Sequence, residues 1–111
     1  MTFISCEEIL FVEDISEAQV TILAPTENTS IEIGNITFTW QTVSEATEYE
    51  LQVATPTFTS ATQIVVDSIL ATTSFSKELI AGNYQWRVRA INSGYQTAYT
   101  TNNFTVTDTS F

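Results

Sequence analysis

The sequence predicts an all-β protein: one domain, folded as a seven-stranded antiparallel sandwich. Three observations predict it. Apolar and polar residues alternate at strand period in segment after segment. Clusters of Asn, Gly, Ser, Asp and Glu separate those segments, as turns between short strands require. The 111 residues include 20 Thr and 10 Ser, and with Val, Ile, Phe, Tyr and Trp they favour pleated backbone. No window carries a helical period of useful length.

The elements follow in order. Val20 and Ile22 alternate until Pro25 ends the run. Ile36, Phe38 and Trp40 alternate with Thr37, Thr39 and Gln41. Tyr49, Leu51 and Val53 alternate with Glu48, Glu50 and Gln52. Ile64-Val65-Val66 is a short apolar run that Asp67-Ser68 closes, and Phe75 and Leu79 mark the next segment. Tyr84, Trp86, Val88 and Ala90 alternate with Gln85, Arg87 and Arg89. Phe104 and Val106 make the last strand, which Tyr99 can extend. Turns are expected at Asn28-Thr29-Ser30, Gly34-Asn35, Ser44-Glu45, Gly82-Asn83, Asn92-Ser93-Gly94 and Asn102-Asn103. Short strands at this spacing bury one face each and leave the other to solvent. The expected core is Phe38, Trp40, Tyr49, Leu51, Leu79, Tyr84, Trp86 and Val88. A sugar-stacking role for Trp40 fits less well than a core role, because Trp40 keeps phase with Ile36 and Phe38.

Three of these segments carry a family resemblance. Ile36-Thr37-Phe38-Thr39-Trp40 resembles the second strand of a fibronectin type III domain, and Ala46 to Val53 resembles the third. Leu79, Gly82, Tyr84, Trp86, Val88, Ala90 and Asn92 resemble the stretch from the fifth strand through the sixth, with Leu79 one residue nearer Tyr84 than is common. The resemblance covers roughly residues 19–107 and implies a seven-stranded antiparallel immunoglobulin-like β-sandwich of fibronectin type III topology. It makes Tyr84 a tyrosine-corner residue, its hydroxyl bonded to nearby backbone. It also makes the third and sixth strands neighbours, which sets Glu48 and Glu50 opposite Arg87 and Arg89 on an outward face. The loop Asn92-Ser93-Gly94-Tyr95 stands where the family's integrin-binding loop stands but lacks Arg-Gly-Asp, so that activity is not implied.

Composition narrows the function. The net charge of −10 repels nucleic acid and anionic lipid headgroups. The absence of histidine removes Ser-His, Cys-His and HExxH mechanisms. A single cysteine forms no internal disulfide. No stretch reaches the ~20 apolar residues of a membrane helix. No Asp-x-Asp-x-Asp-Gly calcium loop occurs, and Glu48 and Glu50, two apart on a strand beside arginines, do not make a glycosidase pair or a metal site. The expectation is a protein that is not an enzyme and uses no cofactor and no metal.

Five of the acids, Glu7, Glu8, Glu13, Asp14 and Glu17, fall in the first 17 residues without a cation, and such like charges extend a chain. Phe3-Ile4-Ser5-Cys6 resembles the tail of a bacterial lipoprotein signal, and the acids behind it resemble the export tether of Bacteroidetes-type surface lipoproteins. The resemblance implies that Cys6 is multiply acylated, because one chain anchors weakly. The basic and apolar half of such a signal does not precede Cys6, so a truncated or misassigned start is expected. The alternative is an ordinary free thiol. The expected organisation is a signal remnant and acidic tether over residues 1–17, a sandwich over 18–108 and a tail over 109–111.

Phe58, Tyr95 and Tyr99 are the candidate contact aromatics, although scattered exposed aromatics are ordinary. Asp67-Ser68-Ile69 resembles the O-glycosylation site of the same bacterial group, which makes Ser68 a candidate at a strand-to-turn boundary. The N-glycan patterns at Asn28, Asn35 and Asn103 carry no meaning in a bacterial protein. The expected function is a non-catalytic interaction or spacer module of a cell-envelope lipoprotein on the outer membrane. Its partner would be a protein or glycan at the cell surface, and it would be a monomer or one module of a longer chain. The alternative is a carbohydrate-binding module of a glycan-utilisation lipoprotein.

Overall fold

The computed structural model describes residues 12–108; Cys6 and the 109–111 tail lie outside the described residues. Eight strands follow in order: β1 (Ile22–Ala24), β2 (Thr29–Glu32), β3 (Gly34–Trp40), β4 (Glu48–Thr55), β5 (Gln63–Leu70), β6 (Ser74–Leu79), β7 (Gly82–Ile91) and β8 (Thr100–Thr107). A three-stranded sheet, β1-β3-β6, packs on a five-stranded sheet, β2-β8-β7-β4-β5. Together they form the expected sandwich.

The strand count and one pairing differ from the sequence reading. Thr29 and Ser30, expected in a turn, open β2, which pairs parallel with β8 from Thr29↔Phe104 to Glu32↔Thr107. The fold therefore has eight strands rather than seven and is not wholly antiparallel. The reason is local. After Pro25 the chain crosses from the small sheet to the large one, turning through Asn28 at φ 59°, a left-handed conformation that Asn tolerates. β2 is then held by backbone bonds to β8, and only Thr29 and Ile31 turn partly inward, too few for a pattern. A second difference is that β5 runs through Asp67 and Ser68 to Leu70, because its pairing with β4 continues to Tyr49↔Leu70.

The alternating positions of β3, β4 and β7 meet between the sheets. Phe38, Leu51, Val53, Trp86 and Val88 have no exposed surface at all, and Trp40, Tyr49, Leu79, Tyr84 and Phe104 are nearly as buried. Phe38 meets Trp86 edge-on at 5.0 Å and Phe104 at 5.8 Å, while Trp40 meets Tyr49 at 5.9 Å. Such edge-to-face pairs contribute about 0.5–1.5 kcal/mol each beyond the area they bury. The Trp86 indole N–H donates to the Pro25 carbonyl at 3.2 Å, which ties the sheet-crossing segment to β7. The Tyr84 hydroxyl donates to the Ile80 carbonyl at 2.7 Å and closes the corner between β6 and β7.

Packing also reaches upstream of the expected boundary at residue 18. Ile15, assigned by sequence to the acidic tether, is 4% exposed and joins the core. Its carbonyl accepts the Ala18 N–H at 2.9 Å. Asn92 fixes this segment at one end of the sandwich. Its amide nitrogen donates to the Glu13 carbonyl at 2.8 Å and the Glu45 carbonyl at 3.3 Å. Its oxygen accepts the Gly94 and Tyr95 N–H groups at 3.0 and 2.8 Å. Glu45 sits at φ 69° in the β3–β4 turn.

The chain therefore enters and leaves at opposite ends. The N-terminal pole gathers Glu13, Glu45 and Asn92. The C-terminal pole holds Gly82 against Val106, and the Thr107 carbonyl accepts the Ile33 N–H at 2.8 Å. The ten residues of β7 span the two poles, roughly 30 Å at strand rise.

Ile15→Ala separates a packed segment from a tether. Replacing a buried Ile costs about 2–4 kcal/mol in urea unfolding, whereas a side chain on a free tether costs nothing measurable. A loss of that size is the expected result.

Candidate functional site

The outer face of the five-stranded sheet carries the charged and aromatic groups that the core does not use. Register decides which of them meet. β4 and β7 pair with Glu48↔Ile91, Glu50↔Arg89 and Gln52↔Arg87. β7 pairs with β8 so that Arg87 faces Thr101, with Tyr99 just upstream of β8.

The two-on-two charge pairing expected from the sequence is thus corrected to a single ion pair. Glu50 meets Arg89, with Oε1 2.6 Å from Nη2. Glu48 lies beside Ile91 and is exposed. Arg87 instead donates from Nε to Gln52 Oε1 at 2.7 Å, and Gln52 donates from Nε2 to Asp67 Oδ1 at 3.2 Å. The sequence shows which residues share the outward face, but only the offset between strands shows which of them touch.

Two of the three candidate aromatics join this row. The Arg87 guanidinium carbon lies 4.0 Å from the Phe58 ring centre and 4.3 Å from that of Tyr99. Arg89 lies 4.6 Å from the Tyr99 ring centre. The Tyr99 hydroxyl donates to Glu50 Oε1 at 3.0 Å. Phe58 is positioned from its own loop by its N–H, which donates to Gln85 Oε1 at 2.8 Å. The result is a ladder, Phe58–Arg87–Tyr99–Arg89–Glu50, in which guanidinium faces cover aromatic faces. Gln52 and Gln85 are the members that sequence reading missed, because uncharged polar residues on an outward face carry no signal of their own.

Burial of Tyr99 pushes its hydroxyl pKa above the usual 10.0, and the bond to Glu50 and its charge push the same way, against the two arginines. Tyr84 is also raised by burial, partly offset by its bond to Ile80. Such a ladder holds charge and stiffens the sheet. Arg87 covers a face of Phe58, and both arginines sit against Tyr99, which leaves less ring surface for stacking a sugar.

The remaining candidates lie elsewhere. Tyr95 is 40% exposed beside Asn92 at the N-terminal pole, remote from the ladder. Ser68 is half-buried inside β5, opposite the fully buried Leu51, and not at the strand end where the sequence reading put it. Its side chain shares the inward phase of Val66. Asp14 caps its own turn: the Ser16 hydroxyl and N–H both donate to it and lower its pKa.

No known family profile matches the chain, and no curated protein does. Solved structures do match. A fibronectin type III domain from the human KIAA0970 protein aligns at 13% identity over 95% of this chain and 85% of that one, with a TM-score of 0.63. The FN3tt structure aligns at 15% identity over 82% of this chain and 97% of that one, with a TM-score of 0.57. The fibronectin(III)-like modules of Clostridium thermocellum CbhA align at 16% identity over 81% and 95%, with a TM-score of 0.52. These likenesses define the architecture: the chain has the fibronectin type III fold.

Two measurements check the ladder. Arg87→Ala removes both ring contacts and leaves Gln52 Oε1 without its donor, so it lowers stability by about 1–2 kcal/mol in urea unfolding. The raised Tyr99 pKa sets a pH response. Well below pH 10 both states hold the proton. Above it the unfolded tyrosine ionises first, so stability falls as pH climbs toward the folded value. Tyr99→Phe makes the decline above pH 10 shallower, and an unchanged slope contradicts the assignment.

Proposed function

We propose that the chain is a non-catalytic interaction and spacer module of a bacterial cell-envelope lipoprotein, carried on the outer membrane through Cys6. The observation that supports this most is the placement of the two ends. The backbone enters at the N-terminal pole, where Asn92 grips Glu13, and leaves past Thr107 at the other. Such a body adds roughly 30 Å between whatever lies before and after it, and it transmits that spacing because its core is closed. Cys6 stands seven residues ahead of Glu13, so an acyl group there would seat the N-terminal pole toward the membrane and point the other outward. The sheet face with its ladder then lies along the side, open to a surface protein or glycan.

The test is metabolic labelling with an alkyne fatty acid in the native host, followed by membrane fractionation. The wild-type chain takes up label and sediments with the outer membrane, and Cys6→Ala abolishes both. An unlabelled wild-type protein overturns the anchor. A reproducible hit on a glycan array that disappears in Phe58→Ala or Tyr99→Ala replaces the spacer reading with a carbohydrate-binding one.

A further inference from the structure

Among the described residues the two sheets end in four edge strands, and three of them are guarded. β1 and β2 are only three and four residues long, and β6 carries Lys77 and Glu78. Short length and charge are the usual protection against pairing with another chain. β5 has neither. It is eight residues, Gln-Ile-Val-Val-Asp-Ser-Ile-Leu, with Asp67 as its sole charge, and it pairs with β4 on one side only. Ile64 and Ile69 are 49% and 60% exposed along it. The register shift near Val65 leaves Val66–Leu70 as the regular stretch.

A cleft of about 290 Å³ opens between this edge and the end of β6, lined by Thr55, Gln63, Val65, Lys77, Leu79 and Ile80. Ile80 is 75% exposed there. A strand added along β5 would lay its outward side chains beside Ile69 and Asp67, and where it runs on past Gln63 and Val65 its inward ones would meet this cleft. Backbone bonds give such a complex its affinity, and the receiving pocket its selectivity.

We infer that β5 is a docking edge for an extended basic–apolar segment of a partner protein, which pairs with Val66–Leu70 as a ninth strand. Charge chooses the occupant. The chain carries a net −10, and Asp67 at the centre of the edge has one oxygen bonded to Gln52 and the other without a partner among the described residues. A lysine or arginine opposite it gains a cross-strand ion pair. A second copy brings the same negative charge, and paired two-fold about Asp67 it sets carboxylate against carboxylate. The inference names the partner of the interaction reading above but stands without the anchor: loss of the fatty-acid label leaves it intact.

The test uses the ¹⁵N-labelled chain and two capped synthetic peptides, one alternating Lys with Val and one alternating Glu with Val. The lysine peptide shifts the amides of Val66–Leu70 and slows their hydrogen exchange, and it binds more weakly as salt rises. The glutamate peptide leaves them unmoved. Ile64→Lys with Ile69→Lys weakens the lysine peptide about tenfold, as loss of apolar contact and added like charge require, while Leu23→Lys on β1 does not. Asp67→Lys reverses the preference between the two peptides, and it carries the test alone if the double variant does not fold. Shifts away from β5, equal binding of both peptides, or an unaltered preference in Asp67→Lys overturns the inference.

Discussion

The structure depends on one set of contacts: Phe38 wedged edge-on against Trp86 at 5.0 Å and Phe104 at 5.8 Å, rings that come from both sheets. β3 supplies Phe38 to the small sheet, and β7 and β8 supply the others to the large one. Neither sheet is stable without the other, because each buries one face only. The ring layer sets how the strands sit on one another, and that fixes the register that brings Arg87, Arg89, Glu50 and Tyr99 together on the far side. The same layer ties down the crossing segment, since the Trp86 indole holds the Pro25 carbonyl. Phe38→Ala would therefore disturb the packing of the two sheets and, through it, the outer ladder on the far side.

What could be read from the sequence follows from this arrangement. β3, β4 and β7 announce themselves because burial of one face writes a period of two into their residues. β2 does not, because backbone bonds to β8 hold it and only Ile31 supplies an apolar inward contact. Ile15 could not be read either. It is a lone apolar residue among acids, and its burial depends on Asn92, 77 positions later, gripping the neighbouring carbonyl of Glu13. The acidic run from Glu13 to Glu17 suggests extension by repulsion, but a single well-placed side chain and one saturated amide are enough to dock it.

The outer face shows the same division. Alternation shows that Glu48, Glu50, Arg87 and Arg89 share a side, and strand offset alone decides that Glu50 takes Arg89 while Glu48 takes no arginine. The aromatic candidates divide as well: Phe58 and Tyr99 join the ladder from two separate loops, and Tyr95 stays with the Asn92 turn. The outcome is a body with a stiff, self-paired side face, one bare sheet edge, and the ends of its described residues at opposite poles. A spacer needs the last of these, and a contact module needs the second.

Closed by the ring layer, the body is a rigid rod whose described ends lie at opposite poles. That arrangement is tested most directly by spin labels at Glu13→Cys and Asp108→Cys in a Cys6→Ser background, with the distance distribution read by pulsed electron resonance. A rigid rod gives one narrow distribution at roughly 30 Å or slightly above, the span of the long strands. A broad distribution, or a peak below roughly 20 Å, about six residues of strand rise, would contradict it.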